Sequence, residues 1–126
     1  MADVSGLCLT AGGAVIKWLG ITSFTLAWMH SVQKTSWEED WQVSPAGLQL
    51  VAARVQGHGA GMEPPEGARF EQGIWHWVPD VKPFRELSLR RSDAVDDWQI
   101  CTNGQCQPLT HIVPPPSDPV VLTPCL

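Results

Sequence analysis

His30, Ser31 and Lys34, with the acidic run Glu38-Glu39-Asp40 a few residues on, form the chemically densest stretch of this chain. A glycine-rich segment, Gly57-His-Gly-Ala-Gly-Met-Glu-Pro-Pro65, follows as a second concentration. Two kinds of binding chemistry suit these residues. His30, Lys34 and His58 can supply positive charge to a small anionic ligand, and the alternating glycines can turn the backbone N–H groups of Gly59, Ala60 and Gly61 toward that anion. Alternatively, His30, Glu39 and His58 make a nitrogen-and-oxygen donor set of the kind zinc takes. Each residue also has a plainer reading. His30 can be a satisfied core or rim residue, Glu38 and Asp40 a solvated acidic edge that discourages strand aggregation, and the glycine loop a structural corner.

Catalysis fits less well. Ser31 and His30 are adjacent on a predicted strand, so their side chains point to opposite faces and cannot form a nucleophile–base couple. The chain has no Gly-x-Ser-x-Gly elbow. The glycine loop lacks the Lys-Ser/Thr of a phosphate-binding P-loop, and no helical pattern follows it. The expectation is a protein that is not an enzyme and needs no cofactor.

Cys101-Thr-Asn-Gly-Gln-Cys106 admits three states. A two-residue Asn103-Gly104 hairpin makes Cys101 and Cys106 a directly opposed, non-hydrogen-bonded pair, close enough for a cross-strand disulfide in an oxidising compartment. Reduced thiols are the alternative, and a zinc site adding His111 the third. Cys8 and Cys125 can pair only if the two terminal strands are neighbours.

The elements that must position these groups are strands. Phe24, Leu26, Trp28, His30 and Val32 alternate along one segment, as do Trp37, Glu39, Trp41 and Val43 along the next. Gln33-Lys-Thr-Ser36 is short and polar enough to join them as a hairpin, gathering His30, Ser31, Lys34 and the acids at one end. Glu39 then shares a face with two indoles and, if buried, calls for a partner such as Lys34 or His30. Glu38 and Asp40 share the other face. Further strands are expected at 5–10, 14–19, 48–55, 70–78, 84–90, 98–101 and 105–113, with a turn at Ser44-Pro-Ala-Gly47. No segment sustains a helical period.

The predicted fold is all-β, a single-domain antiparallel β-sandwich or partly open barrel of about eight or nine short strands. Residues 1–113 form the domain and 114–126 a Pro-rich tail, extended as polyproline, with 120–122 available to dock back. At 126 residues the chain can bury one core. Seven Trp and no Tyr point to indoles lining a cleft or rim, because Trp is rarely buried whole. A net charge of −5, with only Arg90-Arg91 adjacent, argues against nucleic acid. The apolar stretch 12–29 contains Lys17, Gly13, Gly20 and Thr22-Ser23 and alternates, so it is not read as a membrane-spanning helix. Met-Ala-Asp-Val-Ser has no basic export signal, which leads to a cytoplasmic expectation.

The motifs Phe24-Thr-Leu, Trp28-Met-His-Ser-Val32, Trp37-Glu-Glu-Asp-Trp41 and Gly59-Ala-Gly-Met-Glu-Pro-Pro65, in this order and spacing, resemble a bacterial and archaeal domain-of-unknown-function family, number eighteen-fifty. The likeness covers roughly residues 6 to 110. The family brings no activity with it. The resemblance implies an association with TRAP-type transporters, beside whose genes members often lie, and a periplasmic or cell-envelope location. It also implies a shared site at His30, Ser31 and the Gly59–Gly61 loop. The leading expectation is therefore a binding or accessory module, linked to small-carboxylate uptake, that uses His30, Ser31, Lys34, Glu39, His58, Gly59, Ala60 and Gly61. A metal-binding protein and a structural partner of a membrane transporter are the alternatives.

Overall fold

The structure, a computed structural model, describes residues 6–29, 36–57, 66–92 and 96–125. Within them the chain forms eleven strands, more than the eight or nine expected, and one short 3₁₀ turn at Leu109–His111. The strands are β1 (Gly6–Ala11), β2 (Ala14–Leu19), β3 (Ser23–Met29), β4 (Ser36–Ser44), β5 (Gly47–Gln56), β6 (Arg69–Glu71), β7 (Ile74–Trp77), β8 (Leu87–Leu89), β9 (Gln99–Thr102), β10 (Gln105–Pro108) and β11 (Val120–Cys125). They build two antiparallel sheets, one of four strands in the order β2-β1-β11-β8 and one of seven in the order β10-β9-β3-β4-β5-β7-β6. Neither sheet closes on itself, so the fold is an open β-sandwich and not a closed barrel.

Local chemistry explains most of these boundaries. Asn103 and Gly104 both take positive φ, which a type I′ hairpin needs, and they set the register that places Cys106 opposite Cys101. Ser44 accepts a hydrogen bond from the Ala46 N–H at 3.2 Å and so closes the Pro-containing turn into β5. The stretch expected as one strand over 70–78 is two, because Gln72 and Gly73 turn the chain at positive φ between β6 and β7. The stretch 84–90 pairs only at its ends, through a bridge from Phe84 to Leu48 and through β8. β5 carries an extra residue. Asp40 pairs with Ala52 but Trp41 pairs with Leu50, so Val51 bulges out of the ladder. The bulge lets Leu48 on one side of it and Ala53 and Val55 on the other all face inward.

The core lies between the sheets. Leu7 and Leu9 of β1, Leu89 of β8, and Val120 and Leu122 of β11 meet Phe24 and Leu26 of β3, Trp41 and Val43 of β4, Leu48 of β5 and Ile100 of β9. Leu109 and Val113, just after β10, close one side. The segment expected as a C-terminal tail is thus structural: β11 lies between β1 and β8, and Val120 and Leu122 are fully buried. This placement makes the terminal strands neighbours, and Cys8 and Cys125 are joined as a disulfide. The Arg91 side chain is largely buried. It donates to both oxygens of Asp97 and to the Ser117 carbonyl, tying the β8–β9 connection to the segment before β11. Among the described residues no helix is long and apolar enough to cross a membrane.

A candidate site on the inner face of the larger sheet

The seven-stranded sheet is wider than its four-stranded partner, and its inner face is of two kinds. At one end it is the aliphatic core. Toward the other end it carries indoles, because Trp37 and Trp41 on β4, Trp28 on β3, and Trp75 and Trp77 on β7 all occupy inward positions of their strands. Trp28 and Trp37 are directly opposed, and their rings stack with centroids 6.0 Å apart. Trp98 abuts Trp28 at 5.0 Å and is anchored by its indole N–H, which donates to the Arg90 carbonyl. Trp37 and Trp77 meet edge to face, 6.2 Å apart with an interplanar angle of 89°. Phe70 on β6 extends the row by packing on Trp75. The core reaches Trp28 and Trp98, whereas Trp37, Trp75 and Trp77 lie beyond it and are half-buried.

Glu39 sits in the middle of this face. Its neighbours are Trp37 and Trp41 along β4, Leu26 opposite on β3 and Ala53 opposite on β5. Burial pushes its carboxyl above the ordinary value, and the Trp41 indole opposes that rise without cancelling it. The Trp41 N–H is itself buried and lies close enough to Glu39 to lower its value, without meeting full hydrogen-bonding geometry with a described acceptor. Among the described residues no cation pairs with Glu39.

The outer face of the same strands is paired throughout. Arg54 of β5 donates through Nε to Glu38 at 2.6 Å and through both terminal nitrogens to Asp40 at 2.8 and 2.9 Å. The Thr25 hydroxyl adds a bond to Asp40 at 2.6 Å. The Arg54 guanidinium holds the Asp40 carboxyl below the usual range, and the two carboxylates hold the guanidinium firmly protonated. Glu38 and Asp40 are therefore not a solvated edge, since β4 runs between β3 and β5 and both carboxylates are bonded to Arg54 across the ladder. Beside Arg54 an open cleft of about 670 Å³ is lined by His76, Arg69, Glu66 and Asp80.

Of the residues singled out in the sequence, Glu39 is described and is half-buried on the indole face. His30, Ser31, Lys34, His58, Gly59, Ala60 and Gly61 lie outside the described residues, so the structure does not place them relative to Glu39. The donor set His30, Glu39 and His58 falls there for two of its three members. Among the described residues no group of three His, Cys, Asp or Glu could hold a metal ion. Cys101 and Cys106 are joined as a disulfide and cannot serve as zinc thiolates beside His111. Sequence reasoning did not single out Trp75, Trp77, Ala53 or Arg54. The alternation of Trp75 and Trp77 with His76 was available as a signal for the first two. The pairing of Arg54 with the acids was not, because it depends on the β4–β5 register.

No curated protein and no solved structure matches this chain. A family model, Domain of unknown function (DUF1850), matches residues 24–109, more than half of the 126-residue chain. The matched span takes in the indole face, Glu39 and the strands that position them. With its paired Trp hairpin and indole-lined sheet, this chain belongs to the DUF1850 family.

Proposed function

We propose that this chain is a non-catalytic binding or accessory module, and that its ligand docks on the half-buried indole face around Glu39. The observation that carries this reading is an acid that no described cation pairs, on a face where Trp37, Trp75 and Trp77 lie beyond the aliphatic core. Packing alone does not account for it, because desolvating a carboxyl without a partner costs stability. Trp supplies apolar walls and an N–H, the mixture that small-molecule sites use. A link to TRAP-type transport of small carboxylates is the finer form of the proposal and rests on the family resemblance. The two disulfides suit the oxidising periplasm or cell envelope where such a module would work. Protein isolated from such a compartment is expected to show no reactive thiol on denaturation without reductant.

The test is a thermal-shift and Trp-fluorescence titration of the purified chain with small dicarboxylates and amines. Ligand-induced stabilisation that disappears in Trp37→Leu and Trp77→Leu, both still folded by circular dichroism, supports the reading. Stabilisation that survives both changes places binding elsewhere and sinks it.

A second reading, a structural partner of a transporter, is favoured by β2. This edge strand of the smaller sheet exposes Val15, Ile16 and Trp18 and carries only Lys17 as a charge. Among the described residues no strand pairs with its outer rim, which can accept a partner strand. Replacing Ile16 with Lys should abolish co-purification with a transporter subunit if this reading holds and leave it intact if it does not.

A further inference from the structure

Three features of the indole face converge on one kind of ligand. The first is a corner. Trp37 and Trp77 stand at right angles, 6.2 Å apart, over the Ala53–Val55 segment of β5. The second is a carboxyl beside that corner. Glu39, Ala53 and Trp77 are successive cross-strand neighbours on β4, β5 and β7, so only a methyl group separates the carboxyl from the indole. Two strand spacings put the Glu39 and Trp77 backbones about 10 Å apart. The third is charge. Arg54, the next residue after Ala53, points to the opposite face and is fully engaged by Glu38 and Asp40, so it cannot neutralise Glu39.

Indole faces attract cations through their quadrupole, and they prefer weakly hydrated ones that give up water cheaply. A carboxylate beside two such rings adds a full opposite charge. We infer that the corner of Trp37 and Trp77 over Ala53, with Glu39 at its side, recognises a small organic ammonium group of the quaternary or methylated kind. The inference rests on the binding reading above and names the ligand chemistry of that same face. It also reconciles an acidic face with a carboxylate-transport setting, since a ligand that carries its own ammonium group presents that end to Glu39. A bound cation supplies the counter-charge that no described residue gives Glu39, and it favours the ionised form that burial disfavours. Affinity for the cation accordingly falls as pH drops through the titration of Glu39.

The experiment uses the intact chain and three probes read by Trp fluorescence: choline, its neutral isostere 3,3-dimethylbutan-1-ol, and succinate. Choline is expected to bind saturably and at least about tenfold more tightly than the isostere. Glu39→Gln, which keeps shape and removes charge, is expected to bring choline down to the level of the isostere, with an unchanged circular dichroism spectrum. Trp77→Leu is expected to weaken choline as well. Should that variant fail to fold, Glu39→Gln decides alone. Equal affinity for choline and the isostere, an undiminished choline affinity in Glu39→Gln, or no saturable response to choline each overturns the inference. A succinate response lost in Trp37→Leu, with no choline response, overturns the cation and leaves the binding face standing. Silence from all three probes takes down both.

Discussion

Glu39 and Asp40 are consecutive residues on one strand, and they live under opposite electrostatic rules. Asp40 points to the outer face, where Arg54 grips both its oxygens and Thr25 adds a third bond. Glu39 points to the inner face, among Trp37, Trp41, Leu26 and Ala53, where burial disfavours its charge and no described cation answers it. On the outer face the two carboxylates share one guanidinium in a bonded network. Among the described residues the inner face leaves its acid without a cation. Evolution tolerates such leftovers where they serve a ligand more often than where they serve packing. The contrast teaches which of two acidic neighbours to regard as structural and which as functional, a distinction that their shared exposure class conceals.

Substitutions along this one region of sheet should separate the two kinds of environment. The largest effect is expected from Leu26→Ala. Leu26 lies directly opposite Glu39 but belongs to the fully buried core, so its truncation should cost about 2–5 kcal/mol in denaturant unfolding. A cost below about 1 kcal/mol would mean that the core stops short of Glu39's neighbours. Next comes Arg54→Met, which leaves Glu38 and Asp40 on one face without their cation. At neutral pH this should cost about 1–2 kcal/mol, a figure held down because all three side chains are roughly one-third exposed. The deficit has a definite pH dependence. The folded pKa of Asp40 lies below its ordinary 3.8, so the stabilisation it provides is fully present above that value and is lost as pH falls through the folded pKa. Wild type and Arg54→Met should therefore converge in acid.

Glu39→Gln should give the smallest change, with the opposite sign. The folded pKa of Glu39 lies above its ordinary 4.5, so the folded state binds the extra proton and loses stability as pH rises from 4.5 through the folded value. Removing the charge should leave the unliganded protein equally stable or slightly more stable at pH 7, by up to about 1 kcal/mol, with the difference vanishing below pH 4.5. A marked loss of stability at pH 7 would reveal a partner for Glu39 and dissolve the contrast with Asp40.

The sequence made the local parts of this architecture legible. The flanking glycines bounded β2 to the residue, Asn103-Gly104 set the hairpin that opposes Cys101 and Cys106, and the absence of helical period pointed to an all-β fold. Sheet assembly was beyond it. β11 pairs with β1 across most of the chain, and nothing in Pro114-Pro-Pro announces a central strand a few residues later. The bulge at Val51 switches which residues of β5 face inward, so Arg54 read as one more residue of an apolar strand and not as the partner of the acidic run. For the site, alternation correctly placed Glu39 on the face of Trp37 and Trp41 and apart from Glu38 and Asp40. That Trp77 stands two strands away beside Ala53 depends on the pairing of β5 with β7, which spacing along one strand does not encode.

The central claim is that β4 carries a paired acid on one face and, on the other, an acid that no described cation pairs and that we propose receives a ligand. Site-resolved carboxyl titration by carbon-detected NMR of the unliganded chain tests it most directly. The account predicts a Glu39 midpoint above 4.5 and an Asp40 midpoint below 3.8 in the same sample, with choline lowering the first and leaving the second unmoved. A Glu39 midpoint at or below 4.5, or one indifferent to choline, would contradict it.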